Sequence, residues 1–301
     1  MIEVLNPSGS QYSANAPGRQ HRVYRPSGTP RAQLVMHLPG HDNEPGNQTM
    51  LLKTAAFAGY RAIGLVWTNA TLAADDCSGA GSNAAFNDCL ESTRDERGFG
   101  TGSESVQNEL ADLLAALDAD HPTDGWGGFL VGGVPDWSNI ILDGYSEGGN
   151  QTAYMAKQVA YYNVILISGG GNFGVPPPNA SGDPVADWMT QPGATPGGRH
   201  LALYNVGEPF ASDYATAYDV IGVPTSTFER VPEDQGTGWP DFDKASRLKV
   251  DALTSPVSNP YPLCDPHGTT VPDSCLDYGL GESTYDLMKA HLHLYCMASV
   301  H

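Results

Sequence analysis

From residue 32 onward the chain alternates between two hydrophobic patterns. Residues 33–38, 61–67, 140–144, 164–168 and 201–206 form short, mostly apolar runs, as expected of strands buried on both faces of a parallel sheet. Between and after them, residues 50–58, 103–118, 147–161, 214–221 and 285–297 place apolar positions three and four apart with frequent alanine, which predicts helices. Such alternation reads as βαβ units around a mostly parallel central sheet with helices on both faces. The first 30 residues add an expected antiparallel edge hairpin. Residues 70–102 and 169–199 break the rhythm and read as long excursions leaving the carboxyl ends of strands, where a sheet of this kind builds its ligand crevice.

No internal repeat or linker divides the 301 residues, so the expectation is one α/β domain spanning 1–301 with long active-site loops. Composition agrees: 40% hydrophobic and 16% charged residues are globular proportions, and 35 glycines and 23 prolines supply loops. Fifteen basic against 34 acidic residues give a formal charge of −19, which disfavours nucleic acid as a partner. No apolar run is long enough for a transmembrane helix, and the N-terminal stretch lacks the basic and apolar regions of a signal peptide. The chain therefore reads as soluble, and as either mature or cytosolic. Cysteine usage favours the mature form of a secreted protein, extracellular or periplasmic. Cys77 and Cys89 bracket one Gly/Ser/Asn-rich loop and Cys264 and Cys275 another, so a local disulfide is expected across each. Cys296, within an apolar helical pattern, reads as a buried small hydrophobe, and no His/Cys cluster has zinc spacing.

The strongest chemical signal is Gly144-Tyr145-Ser146-Glu147-Gly148, preceded by an apolar strand and followed by helical sequence. A serine at a sharp strand-to-helix turn is forced into strained backbone geometry, and glycines two before and two after it let the chain pack closely. Its hydroxyl then lies at a helix N-terminus, where the dipole and free N–H groups favour negative charge. The Glu147 N–H is one expected donor to a developing oxyanion. The other is the backbone N–H of His41, in the loop Leu38-Pro39-Gly40-His41 after the first of the buried strands; the alternative is that His41 is only a surface loop histidine.

A serine nucleophile needs a general base, and in sheets carrying this turn the order is serine, acid, histidine. Among nine histidines, His267 in Asp265-Pro266-His267-Gly268 satisfies that order on a turn-rich loop, whereas His291 and His293 sit in the terminal helical pattern. For the acid, Glu208 lies just past the strand predicted at 201–206, with Asp213 as the alternative; either also suits capping of the helix near Tyr214. Trp188 is a candidate apolar wall for substrate, or simply packs a loop.

With these residues placed, the chain resembles the α/β-hydrolase superfamily over nearly its whole length, and within it extracellular serine esterase-like proteins. The matching pieces are Leu38-Pro39-Gly40, the run 58–65, the Cys77–Cys89 segment followed by Arg94-Asp95-Glu96, the turn at Ser146, and residues 265–270. Its Pro-Gly-x loop is similar to that of polyester depolymerases and cutinase-type enzymes. The resemblance implies an α/β-hydrolase fold, a Ser146–His267–Glu208 triad, oxyanion donors at His41 and Glu147, no cofactor, and small or polymeric esters as substrates. Glu208 stands where such proteins more usually have Asp. A peptidase or amidase with the same triad, and an inactive binding protein on the same fold, are the competing readings.

Overall fold

The computed structural model describes residues 8–171, 185–225, 227–228, 247–250, 294–295 and 297–298. Among the described residues, nine strands form one sheet: β1 (Ser8–Ser13), β2 (Gln20–Arg25), β3 (Leu34–Leu38), β4 (Arg61–Gly64), β7 (Ile140–Tyr145), β8 (Asn163–Ile167), β9 (His200–Asn205), β10 (Thr227–Phe228) and β11 (Arg247–Val250). Their order across the sheet is β1-β2-β4-β3-β7-β8-β9-β11-β10. The expected edge hairpin is β1–β2, antiparallel, and β2 meets β4 antiparallel; every other pairing in this sheet is parallel. A separate short hairpin, β5 (Leu130–Val131) with β6 (Val134–Pro135), precedes β7.

Residue parity in the strands sorts side chains into two cores. Leu34, Met36, Leu38, Ile140, Leu142, Val164 and Leu166 face α4 (Val106–Asp120), α5 (Glu147–Gln158) and α7 (Ala211–Ile221). Val35, Ile141, Ile165, Ile167, Leu201 and Leu203 face α1 (Thr49–Phe57) and Leu294, Tyr295 and Ala298. Full burial of β3, β7, β8 and β9 explains why their sequences are continuous apolar runs rather than alternating ones. The sheet is thus covered by helices on both faces, as expected. His37 on β3 and Asp143 on β7 interrupt the second core as a buried pair, Nδ1 to Oδ1 at 3.3 Å, and the Tyr295 hydroxyl donates to Asp143 Oδ2 at 2.5 Å. Burial, and the Asp143 charge beside it, push that hydroxyl's pKa well up.

The excursion at 70–102 corrects the sequence expectation. It is not an open loop but α2 (Ala73–Asp76) followed by the 17-residue α3 (Asn83–Phe99). Cys77 and Cys89 do form a disulfide, yet Cys89 lies inside α3, so the bridge staples helix to helix end. Ala73, Ala74, Phe86 and Leu90 close a small core of their own around Cys77. The Ser82 side chain caps α3 by accepting from the Ala85 N–H, and Ser105 caps α4 through the Asn108 N–H; such caps contribute about 1 kcal/mol each. The second excursion yields the short α6 (Asp187–Thr190) from its described part, while the Cys264–Cys275 pair, Cys296 and most of the helix expected at 285–297 lie outside the described residues. Among the described residues no helix is long and apolar enough to cross a membrane.

Candidate active site

Four neighbouring parallel strands end at one edge of the sheet, and each delivers a piece of the candidate site. After β7, Ser146 turns the chain into α5 with φ 54° and ψ −120°, and its side chain does not cap the helix that it starts. Two close approaches enforce that turn. A Cβ on Gly148 would lie 2.0 Å from the carbonyl oxygen of Leu38, and one on Gly144 would lie 2.3 Å from that of Gly148. Both positions therefore exclude any side chain, so the glycine spacing read from the sequence has a steric cause.

After β3 comes the loop 39–43. A Cβ on Gly40 would sit 3.0 Å from that of Ser146, so the loop passes directly over the serine, and the His41 side chain is exposed. Several groups fix the loop from behind. Asn69, wholly buried, donates through Nδ2 to the carbonyls of Gly40 at 2.6 Å and Asn43 at 2.9 Å, and its own carbonyl accepts the Asp42 N–H at 2.8 Å. Arg19 binds Asn69 Oδ1 and the Asn43 carbonyl, and Trp67 Nε1 donates to the Pro39 carbonyl at 3.1 Å. Asp42 takes φ 47°, a strained conformation that persists only because the surroundings over-determine it.

After β8 comes Ser168, at φ 43°, followed by Gly169, where a Cβ would lie 2.5 Å from the Ser146 carbonyl. After β9 comes Glu208, buried to 4% exposure. Its Oε1 accepts Ser168 Oγ at 2.5 Å and the Asn205 N–H at 2.9 Å, and the Tyr214 hydroxyl also bonds to the carboxylate. Desolvation and the Glu208 charge drive the pKa of that tyrosine up. Asp213 is partly exposed in the first turn of α7, with Ser212 Oγ 3.5 Å away. The segment 168–169 thus joins the serine turn to Glu208.

The Glu147 carboxylate is 2% exposed and faces α3, where Arg94 Nη1 approaches Oε1 to 3.2 Å and Arg97 Nη1 to 3.5 Å. Trp188 packs its ring edge-on to Tyr154 of α5 and is 6% exposed. His267 lies outside the described residues. Among the described residues no group of three His, Cys, Asp or Glu side chains is arranged to hold a metal ion. A cleft lined by Arg25, Pro30, Arg61 and Asp124 opens at the opposite edge, where β4 begins; its arginines are engaged, Arg25 with Asp124 Oδ2 and Arg61 Nε with the Asp124 carbonyl.

Asn69, Ser168 and Arg97 are members of the site that local sequence does not advertise, and Arg94 enters only within the Arg94-Asp95-Glu96 segment of the resemblance, with no role attached. A faint signal exists only for Ser168, which follows an apolar strand and opens the run 168–171 with three glycines.

No family model matches the chain, and no curated protein matches it. Among solved structures it is similar to a Pyrobaculum calidifontis esterase, at 12% identity over 97% of this chain and 85% of that one, with a TM-score of 0.48. It is also similar to a thermostable esterase from Pseudomonas putida (14% identity, 98% and 83% covered, TM-score 0.40) and to a hormone-sensitive lipase from a metagenome library (13%, 82% and 76%, 0.40). The order of the sheet, with a serine at the tight turn between its central strand and the following helix, is that of the α/β-hydrolase fold.

Proposed function

We propose that this protein is a serine hydrolase that cleaves carboxylic esters through an acyl-enzyme on Ser146. The observation that carries the reading is the backbone of Ser146, at φ 54° in a turn that two glycines make possible. A residue with a side chain is kept in such a conformation at a cost of about 1–3 kcal/mol, and it places the serine at the N-terminus of α5, at the edge where the strands end. In this reading His267 removes the hydroxyl proton as the oxygen attacks the ester carbonyl and then donates it to the leaving alcohol. Glu208 accepts from the imidazole and stabilises its charged form without taking the proton. The amides of His41 and Glu147 receive the oxyanion. Water activated by the same histidine releases the acid, so both half-reactions balance without a cofactor.

Two further features refine the reading, one for the substrate and one for the compartment. Val206 and Phe210 flank the buried Glu208 yet are 41% and 48% exposed, so apolar surface borders the acid at the strand edge. Lipid-like and polymeric esters suit such a border. The Cys77–Cys89 bridge supports an oxidising compartment, hence a secreted protein.

The test is hydrolysis of a p-nitrophenyl ester series by wild type and Ser146→Ala, with intact mass after a fluorophosphonate. Turnover and a single adduct, both lost in the variant, are expected. A wild type with neither favours an inactive binding protein, and amide turnover exceeding ester turnover favours a peptidase.

A further inference from the structure

We infer that Arg94 is a positioning residue for the oxyanion site, acting through the side chain of Glu147; this rests on the esterase reading above. Only the backbone of the residue after the nucleophile is needed by the chemistry, so its side chain is formally unconstrained. Here it is a carboxylate, buried in the first turn of α5 and therefore close to where negative charge develops on the substrate. An unpaired carboxylate there would oppose the oxyanion that the neighbouring N–H is meant to stabilise.

Among the described residues four donors surround that carboxylate. Arg94 Nη1 and the Ala73 N–H reach Oε1 at 3.2 and 3.1 Å, Arg97 Nη1 stands 3.5 Å from the same oxygen, and Asn150 Nδ2 donates to Oε2 at 3.1 Å. The two arginines differ. Arg97 also binds Asp76 at 2.7 Å and both oxygens of Thr71, so its charge is shared within the excursion. Arg94 is wholly buried, and among the described residues its Nε and Nη2 have no hydrogen-bond partner. Its charge is therefore directed at Glu147.

The same network reaches the other side of the serine. Asn150, held by Glu147, accepts the N–H groups of Gly170 at 2.9 Å and Gly171 at 3.2 Å, next to the Gly169 that packs on the Ser146 carbonyl. Gln151 Nε2 donates to the Arg94 carbonyl at 2.7 Å, so α3 grips α5 at two points one turn apart. A buried ion pair is a poor device for stability compared with apolar packing of the same volume, so this one is better read as fixing where the Glu147 side chain lies. Arg94 thus does two things at once. It fixes the direction of the Glu147 N–H, and it offsets the carboxylate charge carried by the very residue whose N–H is to receive the oxyanion.

The test compares wild type, Arg94→Gln, Arg94→Lys and Arg94→Gln/Glu147→Gln on p-nitrophenyl butyrate. Turnover is normalised to active sites titrated with a fluorophosphonate, and phenylboronic acid serves as the tetrahedral mimic. Arg94→Gln is expected to lower kcat per titrated site about tenfold or more, to weaken phenylboronic acid by a similar factor, and to leave KM within about twofold. Arg94→Lys regains much of kcat because the charge returns, and the double variant regains part because the opposing carboxylate is gone. Should Arg94→Gln fail to fold, the lysine and double variants carry the comparison: a double variant below Arg94→Lys but within about tenfold of wild type supports the inference. A kcat per site unchanged in Arg94→Gln, a change confined to KM, or a double variant no better than the single one overturns it. A wild type without turnover or Ser146 adduct overturns the esterase reading and this inference together.

Discussion

Glu208 and Asp213 are both carboxylates near the end of β9, and their surroundings separate them. Glu208 is buried with donors from Ser168, Asn205 and Tyr214, so its carboxylate is held in one orientation and its charge is compensated by hydrogen bonds rather than by water. Asp213 sits partly exposed at the start of α7, where a carboxylate mainly complements the helix dipole. Glu208→Ala is therefore expected to lower kcat/KM by about 100-fold or more, and Asp213→Ala by no more than about twofold. Parallel p-nitrophenyl ester kinetics check this, and the opposite ranking would transfer the role to Asp213. At this scale the serine turn was legible because its steric requirements are local: an apolar strand, two glycines and a helix follow one another without interruption from Ile140 to Gln158. Asn69 was not, because its task is to bridge carbonyls of a loop nearly 30 positions earlier, and nothing in its neighbours in the chain records that.

Among the helices of ten residues or more, α3 is the one that the hydrophobic pattern concealed. Its inward positions are Phe86, Leu90, Arg94, Arg97 and Gly98, which follow helical spacing, but two of them are arginines turned toward Glu147. A search for apolar residues three and four apart finds only the first two and stops. The strands had no such disguise, since their inward and outward faces are both apolar, and their predicted bounds match within about three residues. The disulfide belongs to this scale as well. It closes a separation of 12 residues, so Cys77→Ser/Cys89→Ser is expected to cost about 3 kcal/mol in urea unfolding through the added freedom of the unfolded chain. Loss below about 1 kcal/mol would show that the small core around Phe86 and Leu90 holds the two helices without it.

For the whole molecule, parity along the strands divides the interior, and the boundary between the two cores is the sheet itself. Neighbours in that sheet, such as β3 beside β7, are far apart in sequence, which is why the alternation of patterns announced a parallel sheet without announcing its order. His200, at the start of β9, is buried so deeply that desolvation lowers its pKa to about 4, against a bond from Nδ1 to the Pro196 carbonyl that acts the other way. The unfolded chain binds a proton there near pH 6.5 and the folded one only near pH 4. Stability from this residue is thus fully present above about pH 6.5 and falls through that window, by about 3 kcal/mol. Urea titrations of wild type and His200→Asn at pH 7 and 4.5 check it: the variant should lose less on acidification, and equal losses would place the acid sensitivity elsewhere.

The inward-facing amides of Asn69 and Asn150 also bear on how the protein can be produced. Each begins an Asn-x-Thr triplet, as does Asn47. A glycan would be attached through the amide nitrogen, and at Asn69 and Asn150 that nitrogen donates to buried acceptors, whereas Asn47 is exposed. Material made in a eukaryotic secretory host that keeps this fold therefore carries sugar, among these three, only at Asn47. Sugar added to Asn69 before folding would instead unfasten the loop that crosses Ser146, yielding secreted but silent protein.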